Sequence, residues 1–147
     1  MIEKTIEVAK NYFKGDYICS QSVLRAILEA KGLYFETASM LAAGFGGGIS
    51  RHGEICGSVT GVIMAIGILH SLDVKDPIEH RKRTYKSVND FIDKFTKIHG
   101  STTCNKLVGF DIKNSSLREK ANNEGLFDNL CPSFIETAIR IIFEMFP

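Results

Sequence analysis

Apolar residues recur along this chain at intervals of three and four, the spacing that aligns one face of an α-helix, and nowhere alternate singly for long enough to make a strand. Ile2, Ile6, Ala9 and Phe13 predict a first amphipathic helix that stops at Gly15-Asp16. Val23, Leu24, Ile27 and Leu28 predict a second, running from Cys19 to Lys31-Gly32, where a basic residue and a glycine suit a C-terminus. A shorter third helix is expected over residues 36–43. The stretch from Gly57 to Gly67 is apolar almost all round, which predicts a buried central helix. Ahead of it lies Gly44-Phe45-Gly46-Gly47-Gly48, so free of Cβ atoms that its backbone can approach another atom closely. Gly53, Gly57 and Gly61, four residues apart, are expected to share one helical face and form a groove for a packed neighbour.

Asp76-Pro77 reads as the cap and first turn of a long helix, whose stripe of Ile78, Tyr85, Val88, Phe91, Ile92, Phe95 and Ile98 runs to His99-Gly100. Ser101-Thr102-Thr103 can cap a turn carrying Cys104, Leu107 and Val108, and another short helix opens at Asn114 or Ser115. The last helix is expected to open at Cys131-Pro132, with Phe134, Ile135, Ala138, Ile139, Ile142 and Met145 facing inward. Together these elements predict an all-α fold: one domain over residues 1–147, a multi-helix bundle with a glycine-rich loop before a buried central helix.

With 147 residues, 44% of them hydrophobic, the chain can fill one real core. Eighteen basic residues balance 17 acidic ones, and a net charge of +1 supplies no field to recruit nucleic acid or an anionic membrane. The most apolar stretch, from Val59 to Leu69, falls short of the roughly 20 residues a membrane span needs. Met1 to Glu7 lack the apolar core of a secretory signal, so a reducing cytoplasm is expected, where permanent disulfides are rare.

Four cysteines then stand out, because Cys19, Cys56, Cys104 and Cys131 each fall where a helix is expected to begin. Unpaired N–H groups and partial positive charge at such a position favour thiolate over thiol, and thiolates are nucleophiles and metal ligands. The plainer alternative is four small buried side chains. No Cys-x-x-Cys pair exists, so metal binding does not follow from spacing, but helix starts can gather at one end of a bundle.

The chain resembles the small redox-active proteins named for the pattern C_GCAxxG_C_C, whose hallmark is four cysteines in a chain of this size with a Cys-Gly-Ala-x-x-Gly segment around the second. Here that segment is Cys56-Gly57-Ser58-Val59-Thr60-Gly61, preceded by Gly44-Phe45-Gly46-Gly47-Gly48-Ile49, which is also similar to the family. Ser58 stands where the family usually has alanine. The likeness extends from Cys19-Ser20-Gln21-Ser22-Val23-Leu24 to Cys131-Pro132, and it implies that the four cysteines form the site.

Around Cys56, His52 and Arg51 could favour a thiolate but are weighed as surface residues, and Glu54 as a helix-start acid rather than a base. The glycine run lacks the Lys-Ser/Thr ending of a phosphate loop. His70, His80, His99 and the Arg81-Lys82-Arg83 patch are expected to be solvated surface. The leading expectation is a thiol–disulfide protein, a candidate oxidoreductase, in which Cys56 is a thiolate of low pKa resolved by another of the four; its partner would be a redox protein or a small thiol. A zinc or iron–sulfur protein using Cys19, Cys56, Cys104 and Cys131 together is the alternative. A third is an interaction or self-association module using an apolar face from Phe134 to Phe146, with Phe143 and Phe146 at its surface.

Overall fold

The computed structural model describes residues 1–147 and contains eight α-helices: α1 (Ile2–Lys14), α2 (Cys19–Ala30), α3 (Ala38–Leu41), α4 (Gly57–Ser71), α5 (Pro77–His99), α6 (Cys104–Val108), α7 (Ser115–Asn123) and α8 (Leu126–Met145). The only β-type pairing is a single antiparallel bridge between Ile55 and Thr103. None of the helices is long and apolar enough to cross a membrane.

The central helix α4 runs four residues beyond Gly67 and is buried along most of its length, as its apolar circumference requires. It packs chiefly on α2, with α5 and α8 on its other sides, while α1 lies against α2 and α8. Leu24, Ile27 and Leu28 of α2, Val59, Val62 and Ile66 of α4, Phe91 and Phe95 of α5, and Ile135, Ile139 and Ile142 of α8 meet in the core, each almost fully buried. Burying a side chain of that size contributes about 1.5–3 kcal/mol. A second, smaller cluster of Cys104, Val108 and Ile112 packs with Phe110, Phe127 and Leu130, and joins α6 to the start of α8.

The helix ends explain how the chain turns. The Asp76 carboxylate accepts from the Glu79 N–H at 2.9 Å, and Pro77 occupies the first helical position, as expected. Asn114 likewise accepts from the Leu117 N–H at 3.0 Å to start α7. The third helix is shorter than expected, four residues followed by a 3-10 turn at Ala43–Phe45.

Helix α8 begins at Leu126, so Cys131 lies within it and not at its start, and Pro132 is an interior residue. The proline misleads because Gly125, at φ 73°, turns the chain from α7 straight into α8. The missing Pro132 N–H leaves the carbonyl of Asp128 without its helical donor, and Asp128 is solvent-exposed, so water can serve that oxygen.

Candidate functional site

Cys19, Cys56, Cys104 and Cys131 all line one cavity of about 800 Å³, enclosed by the first turns of α2, α4 and α6, the glycine-rich segment, α7 and the middle of α8. Its rim carries exposed Ser115, Glu119 and Asn122. Phe127 and Phe134 flank Cys131 on the α8 wall. All four cysteines are free thiols.

Local backbone bonds place each sulfur. The Cys56 N–H donates to the Thr102 carbonyl at 2.8 Å, and the Cys104 N–H donates to the Glu54 carbonyl at 2.6 Å. These bonds flank the Ile55–Thr103 bridge, so the residues before α4 and α6 run side by side and Cys56 and Cys104 emerge on the same face of the pairing. Cys19 opens α2, where the Gln21 side chain accepts from the Ile18 N–H at 3.3 Å and the buried Ser20 hydroxyl donates to the Ala42 carbonyl at 2.8 Å. The Cys19 sulfur sits where a Cβ on Gly57 would be, and a Cβ on Gly61 would come within 2.9 Å of the Ser20 carbonyl oxygen. Gly57 and Gly61 therefore form the expected groove, into which the start of α2 packs. Gly53 does not belong to it: it precedes the helix, at φ 72°, with its hydrogens against the Asn105 side chain.

Over this arrangement lies a run of left-handed backbone from Gly47 to Arg51, in which Ile49, Ser50 and Arg51 have φ values of 65°, 46° and 66°. Each non-glycine residue held there costs on the order of 1–2 kcal/mol. The run is secured by bonds from the Ser50, Gly53 and Glu54 N–H groups to the carbonyls of Gly44, Gly47 and Gly48, at 3.0, 3.1 and 2.8 Å. A Cβ on Gly48 would lie 2.7 Å from that of Cys104, so glycine is needed where the loop crosses the site. The glycine pattern announced a close approach; that three ordinary residues would share the left-handed conformation had no signal in the sequence.

The electrostatics differ from the low-pKa expectation. Burial pushes all four thiols up: Cys19 to about 12, Cys104 to about 11, and Cys56 and Cys131 in the same direction. Helix-start N–H groups do oppose this at Cys56, through Ser58 and Val59, and at Cys19, through Ser20, joined there by the loop N–H of Gly47, but desolvation outweighs them. Charge on one sulfur also raises its neighbours, with Cys131 affected by each of the other three. The four sulfurs thus share one electrostatic environment. No set of three or more His, Cys, Asp or Glu side chains stands at metal-holding geometry.

Of the other candidates, His52 is exposed and its Nδ1 lies 2.9 Å from the Ile49 carbonyl, a loop contact. Arg51 is exposed and borders the cavity. Glu54 is an exposed side chain whose backbone carries the pairing to Cys104 and Gly48. His70, His80 and His99 are not solvated surface: each is partly buried, with Nε2 2.8 Å from Ser87 Oγ, 2.7 Å from the Gly67 carbonyl and 2.8 Å from Thr137 Oγ1, respectively. Burial holds His70 and His99 below the usual histidine value. The apolar face of α8 is core, with Phe134 and Phe143 buried, so Phe143 offers no docking surface.

Fold and site together define an all-α protein whose four cysteines meet at one cavity. The model of the family described as "Putative redox-active protein (C_GCAxxG_C_C)" matches residues 17–145, and the chain belongs to that family. Against the pattern in that description, Cys56 precedes Gly57 where glycine precedes cysteine, and Ser58 takes the place of alanine. A relative from Archaeoglobus fulgidus, described as an uncharacterized protein, is 30% identical over 96 residues, covering 60% of this chain and 64% of that protein, less than two thirds of its length. No solved structure matches the chain.

Proposed function

We propose that this protein is a redox-active thiol protein in which Cys56, Cys19, Cys104 and Cys131 act as one cluster, cycling between thiols and a disulfide. The observation that supports it is the meeting of four cysteines, three from separate helices and one capping a fourth, on the wall of one cavity. In the oxidising direction, the Cys56 thiolate attacks one sulfur of a disulfide in a small thiol compound or a partner protein. A mixed disulfide forms and the other sulfur of that disulfide leaves as thiolate. A second cysteine of the cluster, having lost its proton to solvent, attacks the Cys56 sulfur and expels the remaining half. The protein then holds an intramolecular disulfide, and two electrons have passed to the partner. A reducing cytoplasm suits such a cycle, because thiols there stay reduced until a specific partner oxidises them. The test is to incubate reduced protein with an oxidised small-molecule dithiol and map pairings by mass spectrometry. A reversible disulfide that includes Cys56 is expected; four thiols that never pair would overturn the reading.

A second reading has one observation in its favour. The sulfurs oppose one another's ionisation, so a bound cation would allow several thiolates to coexist. Four sulfurs can complete the ligand set of zinc or of an iron–sulfur cluster, although the thiols would have to close in to reach it. Anaerobic purification followed by metal analysis and an absorption spectrum separates the two readings. Protein that is reproducibly metal-free, with no affinity for added zinc or iron, excludes this one.

A further inference from the structure

Cys56 and Cys104 are only 6% and 9% exposed, and Cys19 and Cys131 are partly covered, although all four line the cavity. Thiol–disulfide exchange brings one sulfur into contact with another, so whatever exchanges with these thiols must enter the cavity. A folded protein would have to bring its backbone in with its disulfide. A volume of about 800 Å³ lies instead within the range of sites that enclose a small molecule.

The lining then narrows the chemistry of that molecule. Leu107, Ile112, Phe127 and Phe134 give the cavity an apolar wall. Ser115, Arg118, Glu119 and Asn122, spaced by three and four residues, turn one face of α7 toward it, and that face is polar. Three lining residues are charged, Arg51, Arg118 and Glu119, which leaves a net positive charge. Arg25, Arg83 and Arg140 each pair with a glutamate, but Arg51 and Arg118 pair with no carboxylate. Arg118 is partly buried and held in place, its Nη1 donating to the Ile112 carbonyl at 2.8 Å, so the rest of its planar fork is left for a ligand. An apolar wall with unpaired guanidinium groups suits a ligand with an apolar body and an anionic end.

We propose that the cavity takes a low-molecular-weight disulfide bearing a carboxylate, with Arg118 receiving the carboxylate, Arg51 adding positive charge, and the carbon and sulfur atoms lying against the apolar wall and the thiols. The inference rests on the thiol reading of the site and names the partner that reading leaves open. Two protein thiols become one disulfide, and the ligand's S–S bond breaks to give two small thiols that carry away both protons and both electrons.

The experiment has two arms. In the first, reduced isotope-labelled protein is titrated with suberate, which copies the length of dithiodipropionate with methylenes in place of sulfur. Saturable amide shifts confined to the cavity lining are expected; Arg118→Gln should weaken binding about 10-fold, and Arg118→Lys should keep most of it. In the second, protein oxidation is timed with dithiodipropionate, neutral hydroxyethyl disulfide, cationic cystamine and oxidised protein disulfide isomerase, each rate divided by that of the same oxidant with free mercaptoethanol. Dithiodipropionate should lead, and its lead over hydroxyethyl disulfide should fall about 10-fold in Arg118→Gln. Circular dichroism checks the fold, and Arg51→Gln, a change to an exposed side chain, supplies the comparison if Arg118→Gln does not fold. Suberate that does not bind, a preference that the folded variant retains, or a lead for protein disulfide isomerase overturns the proposal. Disulfide formation without preference for dithiodipropionate would sink this inference and leave the thiol reading standing. Suberate binding to a protein whose thiols never pair would sink that reading, and with it the disulfide as ligand, while keeping the carboxylate site.

Discussion

A cysteine at a helix start and a cysteine under a folded loop are pulled in opposite directions, and here burial wins. The consequence is a stability that depends on pH on the alkaline side. Cys19 and Cys104 begin to lose their protons near 9 when the chain is unfolded, but hold them to about 12 and about 11 when folded. The unfolded state therefore releases protons first, and the native state is favoured fully below pH 9 and progressively less as pH rises through 11 and 12. Within that window each such thiol should lower unfolding stability by about 1.4 kcal/mol per pH unit. Urea titrations at a series of pH values check this, and Cys104→Ser should flatten the decline; a stability independent of pH between 9 and 11 would contradict it. For Cys56→Ser, a nearly isosteric change, the helical circular dichroism signal should persist while disulfide formation or metal retention disappears. A variant matching wild type in both chemical assays would remove Cys56 from the site.

At the scale of elements, the contact of α2 with α4 positions Cys19, and two glycines of one helix separate packing from propensity. Gly61 faces the Ser20 carbonyl oxygen, which a Cβ would approach to 2.9 Å, whereas a Cβ at Gly67 would meet nothing within 4 Å. Gly61→Ala should therefore force α2 away and destabilise by about 1–3 kcal/mol. Gly67→Ala, relieved of glycine's backbone entropy, should stabilise by about 0.5–1 kcal/mol. Thermal melts of the two variants should move in opposite directions; movement in the same direction would mean that α2 and α4 do not pack as described. Glycines spaced by four announced this contact, although the same pattern included Gly53, which serves the loop instead. Proline at the first helical position identified α5 correctly and misplaced α8, because a left-handed glycine can start a helix ahead of any proline.

For the whole molecule, the apolar face of α8 is committed to the core and unavailable to a partner. Phe143→Glu should accordingly cost more than the roughly 3–5 kcal/mol of a Phe→Ala truncation, since it also buries a charge, and should leave the chain largely unfolded. A folded variant with merely altered association would reverse that conclusion. Periodicity shows that Phe134, Ile135, Ala138, Ile139 and Ile142 share one face, but not whether that face meets the core or a second molecule.

The all-α class, the long helix from Pro77, the buried α4 and the four cysteines were legible in the chain because each depends on neighbours within a few residues: a hydrophobic stripe, a cap, a glycine, a residue type. The meeting of the cysteines at one cavity was not, since it depends on residues 53–56 pairing with residues 102–105 and on α2 docking against Gly57 and Gly61. The upward thiol shifts belong to the same class. Burial and mutual charge exist only once distant segments have come together.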